Sequence, residues 1–165
     1  MHRIKKSIFL LLAILCISTT TCFAYGIPRN DMAIGGIAYG TSMDYVKQIY
    51  GTPTKITYAD GEWHTGKLIV YNYNDKFIVS GSVRTNTVVS IVCTEKGLST
   101  PGGLAVGMKY DIVKKIYGNG GRMDLLVKRP SDGYKYYYYS NATNEIQFIV
   151  DKQGIIQKIF IYNAA

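Results

Sequence analysis

The sequence predicts an α+β fold made of two repeats, each a short helix followed by an antiparallel four-stranded β-meander. Three observations lead to it: a segment that recurs at a fixed spacing, a helical spacing of apolar residues in each copy, and runs of β-branched and aromatic residues separated by turns. The chain has 165 residues, of which 47% are hydrophobic and 18% charged, which is typical of a globular protein rather than a disordered one.

The recurring segment is residues 34–51, which matches residues 101–118 at an offset of 67 without a gap. Ten positions are identical, including a Gly-Gly pair and a terminal Ile-Tyr-Gly. A match of this length indicates a duplicated unit. We therefore place repeat 1 at residues 33–95 and repeat 2 at residues 100–162, with a turn-rich connector at 96–103.

Each copy of the recurring segment predicts a short helix. In the first copy, Thr41 or Ser42 can cap the helix, while Val46, Ile49 and Tyr50 fall on one face. A glycine ends both helices in a position that favours a C-terminal cap. The second copy keeps the apolar spacing but has Met in place of the hydroxyl of Thr41.

The remaining segments predict eight strands, because β-branched and aromatic residues dominate between turns of Asn, Asp, Gly and Ser. A helix followed by a run of strands indicates antiparallel pairing rather than a βαβ arrangement. The predicted strands are 55–59, 67–73, 76–84 and 87–95 in repeat 1, and 123–128, 134–140, 145–150 and 155–162 in repeat 2.

Residues 1–24 predict a signal peptide, with a basic start, an apolar run of about ten residues and Ala24 before the expected cleavage point. The run is too short to span a bilayer, so we expect membrane contact only through this transient segment. The expected location is therefore exported: the periplasm, the cell envelope or the medium. A lipid anchor at Cys22 is the less favoured alternative, because Thr19 stands where a lipid-attachment motif has Leu.

Cleavage would leave Cys93 as the one cysteine, so the mature chain would have no internal disulfide. Cys93 ends an apolar strand and is expected to be buried. The net charge of the whole chain is +8, which suits anionic envelope surfaces. Export argues against nucleic acid as the partner.

The mature chain offers little material for catalysis. His64 would be its only histidine, and one His with one Cys is too few for a metal site. We expect no metal, no cofactor and no enzymatic activity. A small hydrolase that uses His64 is a minor alternative.

A tyrosine-rich strand, residues 134–139, gives the clearest candidate binding surface. Alternate residues of a strand face opposite sides. The offset of 67 aligns Tyr136 with Ile69 and Tyr138 with Tyr71, and we assign these four to the side covered by the helices. The candidate partner-binding residues are those of the other side and of a nearby turn, namely Val70, Asn72, Lys135, Tyr137 and Tyr139 with Trp63 and His64.

The helix signature also carries a resemblance to known proteins. Glycine, then Val six residues on, Ile nine on and Gly eleven on, occurs at Gly40, Val46, Ile49 and Gly51, and again at Gly107, Val113, Ile116 and Gly118. This resembles the repeat of the β-lactamase-inhibitor-protein-like fold and is similar to the helix signature of small SmpA/OmlA-type envelope lipoproteins. The resemblance covers nearly all of the mature chain, although the secreted inhibitors carry disulfides and the lipoproteins a lipid.

The resemblance implies that the sheets join into one concave aromatic surface that holds a protein partner. The expected function is therefore an exported, non-enzymatic binding protein that recognises an envelope or extracellular protein. The alternative is an envelope-structural module that binds peptidoglycan or another anionic glycan, such as a cell-wall polymer.

Overall fold

The computed structural model describes residues 27–61, 66–118, 121–122, 133–141 and 144–163. The expected signal peptide, residues 1–24, and the expected strand 123–128 lie outside these ranges.

Ten strands and two α-helices make up the described part of the chain, after a single 3-10 turn at Arg29–Asp31. The helices are α1 (Met43–Tyr50) and α2 (Tyr110–Tyr117). The strands before α2 are β1 (Ala33–Ile34), β2 (Ile37–Ala38), β3 (Lys55–Asp60), β4 (Lys67–Tyr73), β5 (Phe77–Ser82) and β6 (Thr87–Cys93). The strands after it are β7 (Gly121–Arg122), β8 (Lys135–Asn141), β9 (Asn144–Val150) and β10 (Ile156–Asn163).

Strands β3 to β10 form one antiparallel sheet in the order β3-β4-β5-β6-β10-β9-β8-β7. Seven of these strands have six to eight residues, and β7 has two. Strand β6 pairs with β10, with Cys93 opposite Ile159 and Ile91 opposite Ile161. The sheet therefore runs without a break from one half of the chain to the other. Strands β1 and β2 form a separate two-stranded ribbon.

The fold class is consequently mostly β, and the predicted α+β class with two helix-plus-meander repeats is wrong. The two helices have only eight residues each, while one sheet and a ribbon contain most of the remaining described chain. The ribbon around Gly35 and Gly36 was not predicted. Local periodicity indicates individual strands, but it does not show which strands will pair across the chain.

Both helices lie on the same side of the sheet, which we call the helix side; the other is the open side. Buried apolar residues cross the sheet in two rows on the helix side and join one core with residues of both helices. One row is Phe77, Cys93, Ile159 and Phe148, and the other is Val79, Ile91, Ile161 and Ile146. The predicted burial of Cys93 is confirmed.

The two helices begin differently. Ser42 caps α1, because its Oγ accepts a hydrogen bond of 3.1 Å from the backbone N–H of Asp44. The Asn86 side chain also donates to the carboxylate of Asp44 at 2.8 Å. Lys109 occupies the corresponding place before α2 and makes no side-chain cap. The start of α2 therefore lacks the side-chain hydrogen bond that caps the start of α1.

The ribbon is joined to α1 at a close approach. Tyr50, at the end of α1, donates a hydrogen bond of 2.7 Å from its hydroxyl to the carbonyl of Gly35. Gly35 has φ +58°, and a Cβ added there would collide with the Tyr50 hydroxyl. Gly36 has φ +80° but open space around the same position.

We therefore expect Gly35→Ala to destabilise the protein more than Gly36→Ala. The left-handed backbone should cost each variant about 1–2 kcal/mol. The collision with Tyr50 should add about 1–3 kcal/mol to Gly35→Ala alone. Urea unfolding of the two variants measures the difference, and equal losses would show that the approach of Tyr50 does not constrain the ribbon.

Candidate functional site

The structure separates the residues that were expected to form one surface. Val70 and Asn72 lie on the open side of β4 and are partly buried. Lys135, Tyr137 and Tyr139 lie on the helix side of β8, so their assignment to the open side is wrong. Trp63 and His64 lie outside the described residues.

The inversion of β8 has a simple geometric cause. The Tyr73 hydroxyl donates to the carbonyl of Gly51, and the Tyr139 hydroxyl donates in the same way to the carbonyl of Gly118. The acceptors are 67 residues apart, as in the sequence match, but the donors are 66 apart. Because side chains alternate along a strand, a shift of one residue exchanges its two faces.

The same shift determines on which side of the sheet the tyrosines of β8 lie. Tyr71 of β4 lies opposite Val79, and both are buried on the helix side. In the second half, Tyr139 lies opposite the buried Ile146, so Tyr139 rather than Tyr138 lies on the helix side. Carrying the ungapped offset of 67 into β8 therefore exchanged its two faces: Tyr136 and Tyr138, which were expected on the helix side, lie on the open side.

The inverted face of β8 contributes to a cleft on the helix side. The cleft has a volume of about 340 Å³ and lies between the start of α2, the start of β8 and the turn that joins β9 to β10. Four exposed lysines surround it, and we call it the lysine cleft after them: Lys109, Lys114, Lys135 and Lys152.

Two stacked tyrosines form one wall of the lysine cleft. The ring of Tyr110 lies on the ring of Tyr137 with centroids 3.7 Å apart and planes inclined by 17°. The Tyr139 hydroxyl donates to the carbonyl of Gly118 at 3.0 Å, so the Tyr110 hydroxyl, 2.9 Å from it, donates to Tyr139. Burial and this hydrogen bond raise the pKa of Tyr110 far above its usual value. The Tyr110 ring is therefore held by a stacking contact and a hydrogen bond, and its hydroxyl is uncharged at neutral pH.

The two carboxylates of the cleft are already engaged. Asp111 forms an ion pair of 2.6 Å with Lys114 one turn later, and this ammonium lowers the pKa of Asp111. Asp151 accepts hydrogen bonds from the backbone N–H groups of Ile155 and Gln153, which lower its pKa as well. Both groups are thus ionised and held by neighbours within the protein.

Most of the lysines of the cleft, unlike its carboxylates, have no partner of opposite charge among the described residues. Among the described residues, Lys109, Lys135 and Lys152 form no ion pair with a carboxylate. Four lysines and two aspartates give the lining a formal charge of +2. An exposed cleft with surplus ammonium groups beside a flat aromatic wall is suited to an anionic ligand.

Sequence reasoning placed Lys135 and Tyr137 in a binding surface but missed Lys109, Lys114 and Lys152. One signal was present in the repeated segment. Lys109 aligns with the capping residue Ser42, so a cap in the first copy is replaced by a cation in the second. Nothing in the local sequence indicated that Lys152 would lie near it.

The open side carries a second, more apolar feature. Phe160 and Tyr162 stack with ring centroids 4.6 Å apart, and Phe160 lies opposite Val92 of β6. The Tyr162 hydroxyl donates to the carboxylate of Glu145. All four residues are partly buried, and we call this set the open-side strip.

The described residues contain no group of three or more His, Cys, Asp or Glu that could hold a metal ion. Burial raises the pKa of the Cys93 thiol, which lies in the core. Neither helix in the described ranges is long and apolar enough to cross a bilayer.

Comparison with solved structures finds this fold within a longer protein. A cysteine-rich secretory protein from Staphylococcus aureus matches with a TM-score of 0.54 at 15% identity, over 76% of this chain and 44% of that one. At such identity the likeness concerns the fold alone. A scan against protein-family models and a search of curated proteins each found no match.

Two further structures match less closely. An extracellular protein containing an SCP domain, from Bacillus anthracis, matches with a TM-score of 0.48 at 15% identity over 76% of this chain and 44% of that one. A DUF4309 family protein from Bacillus subtilis has the same TM-score and identity, over 87% of this chain and 90% of that one. This chain therefore spans less than half the length of the staphylococcal and anthrax proteins.

We expect the free energy of unfolding to fall as the pH rises above about 10. An unfolded tyrosine ionises near 10, whereas folding raises the pKa of Tyr110, so its contribution is complete below 10 and lost above it. Tyr110→Phe should reduce the slope by up to about 1.4 kcal/mol per pH unit. Tyr45→Phe, at an exposed position, is the control, and equal slopes in the two variants would contradict the assignment.

Proposed function

We propose that this chain is an exported, non-enzymatic binding protein whose lysine cleft holds anionic groups of a cell-envelope polymer. The observation that carries the proposal is the convergence of Lys109, Lys135 and Lys152 on a cleft whose carboxylates are already paired. The class of ligand is a polymer bearing carboxylate or phosphate groups, such as an anionic cell-wall glycan.

The chemistry of the cleft favours binding over catalysis. Its described lining consists of Lys, Tyr, Asp, Val, Gln and Gly residues, and both carboxylates are stabilised as anions by their neighbours. General acid–base catalysis by a carboxyl group needs a pKa close to the working pH, but here both are lowered.

The size and exposure of the cleft favour part of a polymer rather than an enclosed small molecule. A volume of about 340 Å³ is near the lower end for ligand pockets. The lysines are exposed, so each contact is screened by salt and contributes little alone. Repeated anionic groups along one chain would allow several such contacts to act together.

Export rests on the sequence of residues 1–24, with its basic start, short apolar run and Ala24. An exported protein with surplus lysines meets the anionic polymers of the envelope before any nucleic acid. The proposal therefore joins the location expected from the N-terminus with the charge of the cleft.

The test compares two double variants with the same loss of charge. Lys135→Ala with Lys152→Ala removes cations from the cleft, whereas Lys67→Ala with Lys96→Ala removes two exposed cations that do not line it. Binding to isolated cell-wall sacculi and to polygalacturonate is measured by sedimentation at low salt and at about 0.5 M salt. We expect the cleft variant to bind at least tenfold more weakly at low salt, and the control variant to remain close to the unaltered protein.

Loss of binding in both double variants would mean that net charge, and not the cleft, attracts the polymer. Binding that is unchanged in the cleft variant would reject the site.

A second candidate is recognition of an envelope or extracellular protein through the open side. The observation that favours it is the stacked pair Phe160 and Tyr162 in the open-side strip, with Val70 and Asn72 on the same side. The resemblance of the helix signature to β-lactamase-inhibitor-protein-like proteins also supports it. In this case Phe160→Ala should abolish capture of a protein from envelope extract at moderate salt and leave polymer binding intact. Capture that survives Phe160→Ala would reject this surface.

A further inference from the structure

Strand β3, the outermost strand at one end of the sheet, is unusually exposed. It pairs with β4 along its six residues, and no other described strand pairs with its second edge. Ile56 and Tyr58 have exposed fractions of 45% and 63%, and only Thr57 of the six residues is partly buried. Exposed apolar residues on a strand with an open edge indicate a docking surface.

The backbone of β3 has donors and acceptors directed outward. Just beyond the strand, the N–H of Gly61 donates to the carbonyl of Gly66 at 2.8 Å. The pairs between β3 and β4 continue this register, from Asp60 opposite Lys67 to Lys55 opposite Asn72. Hydrogen-bonded and non-bonded pairs alternate along an antiparallel ladder. The N–H and C=O groups of Ile56 and Tyr58 therefore point away from β4.

The middle of β3 lacks the features by which proteins protect an edge. Residues 56–59 are Ile-Thr-Tyr-Ala, without a charge or a proline, and the register with β4 has no bulge. At the opposite end of the sheet, the outermost described strand is β7, which has only two residues. Of the two outermost described strands, β3 is therefore the one with an edge long enough to accept a full strand.

We propose that β3 pairs antiparallel with β3 of a second copy of this chain, about a two-fold axis at Thr57. This register places Ile56 of each copy opposite Tyr58 of the other, so the two most exposed apolar residues of the strand cover each other. Their outward backbone groups then form hydrogen bonds across the seam. An axis at Tyr58 would instead place Ile56 opposite the charged Asp60.

The strand is complementary to itself, which is why a second copy fits it. Pairing of like with like about one axis uses the long edge of both molecules and ends the assembly at two copies. Because the axis is perpendicular to the sheet, both helix sides face the same way. The dimer would therefore present two lysine clefts on one face, which suits a long anionic chain, although the pairing itself does not depend on that ligand.

Sedimentation velocity over a range of protein concentrations tests the proposal. We expect the unaltered chain to pass from monomer to a species of twice the mass as concentration rises. Tyr58→Lys, which places two cations at the seam, should move the midpoint to at least tenfold higher concentration. Tyr45→Lys, at a position of α1 with an exposed fraction of 43%, should leave it unchanged.

A cross-linking experiment tests the register. In a chain with Cys16→Ser and Cys22→Ser, Thr57→Cys should form a disulfide-linked dimer under mild oxidation, because the two copies of residue 57 lie opposite each other. Ala59→Cys, opposite Lys55 of the other copy, should not, and Cys93 is buried and does not interfere. A chain that stays monomeric at every concentration, or Ala59→Cys that links as readily as Thr57→Cys, would overturn the proposal.

Discussion

The alternation of side chains along β8 determines which residues of the second half can act together. Its register with β9 places Tyr137 opposite Phe148 and Tyr139 opposite Ile146, all on the helix side. A shift of one residue would place these tyrosines on the open side and remove the stacked wall beneath α2. The lysine cleft thus depends on a backbone register that is fixed by burial of apolar side chains on the neighbouring strand β9.

The difference between the two helix starts is the second condition for the cleft. At α1 the cap by Ser42 and the Asn86–Asp44 hydrogen bond satisfy the polar groups locally. At α2 a lysine stands at the capping position, and Asp111 turns to Lys114 instead. The two halves therefore place a helix in a similar position, but its start is capped by neighbouring side chains in the first half and borders a cationic cleft in the second.

Much of the local structure could be predicted from the sequence, because it follows from periodicity and turn chemistry. The strands 55–59 and 67–73, for example, lie within one residue of β3 and β4. The assembly of these elements could not be predicted. Pairing of β6 with β10 joins residues that are distant in sequence, and it is this pairing that makes one sheet of the two halves.

The candidate site shows the same limit. The tyrosine-rich strand was predicted to be part of a binding surface, but which side its residues face depends on one residue of register that an ungapped repeat does not reveal. The lysines of the cleft come from α2, β8 and the turn after β9, so no short motif contains them. Only the replacement of Ser42 by Lys109 at aligned positions was visible in the sequence.

A titration followed by nuclear magnetic resonance shows whether the lysine cleft binds anionic groups. Short oligogalacturonate is added to isotope-labelled protein at low salt, and backbone amide shifts are followed residue by residue. We expect saturable changes in amide shift concentrated at residues 109–114, 135–137 and 151–154. Shifts confined to residues 158–162 of the open side, or no saturable shifts, would contradict it.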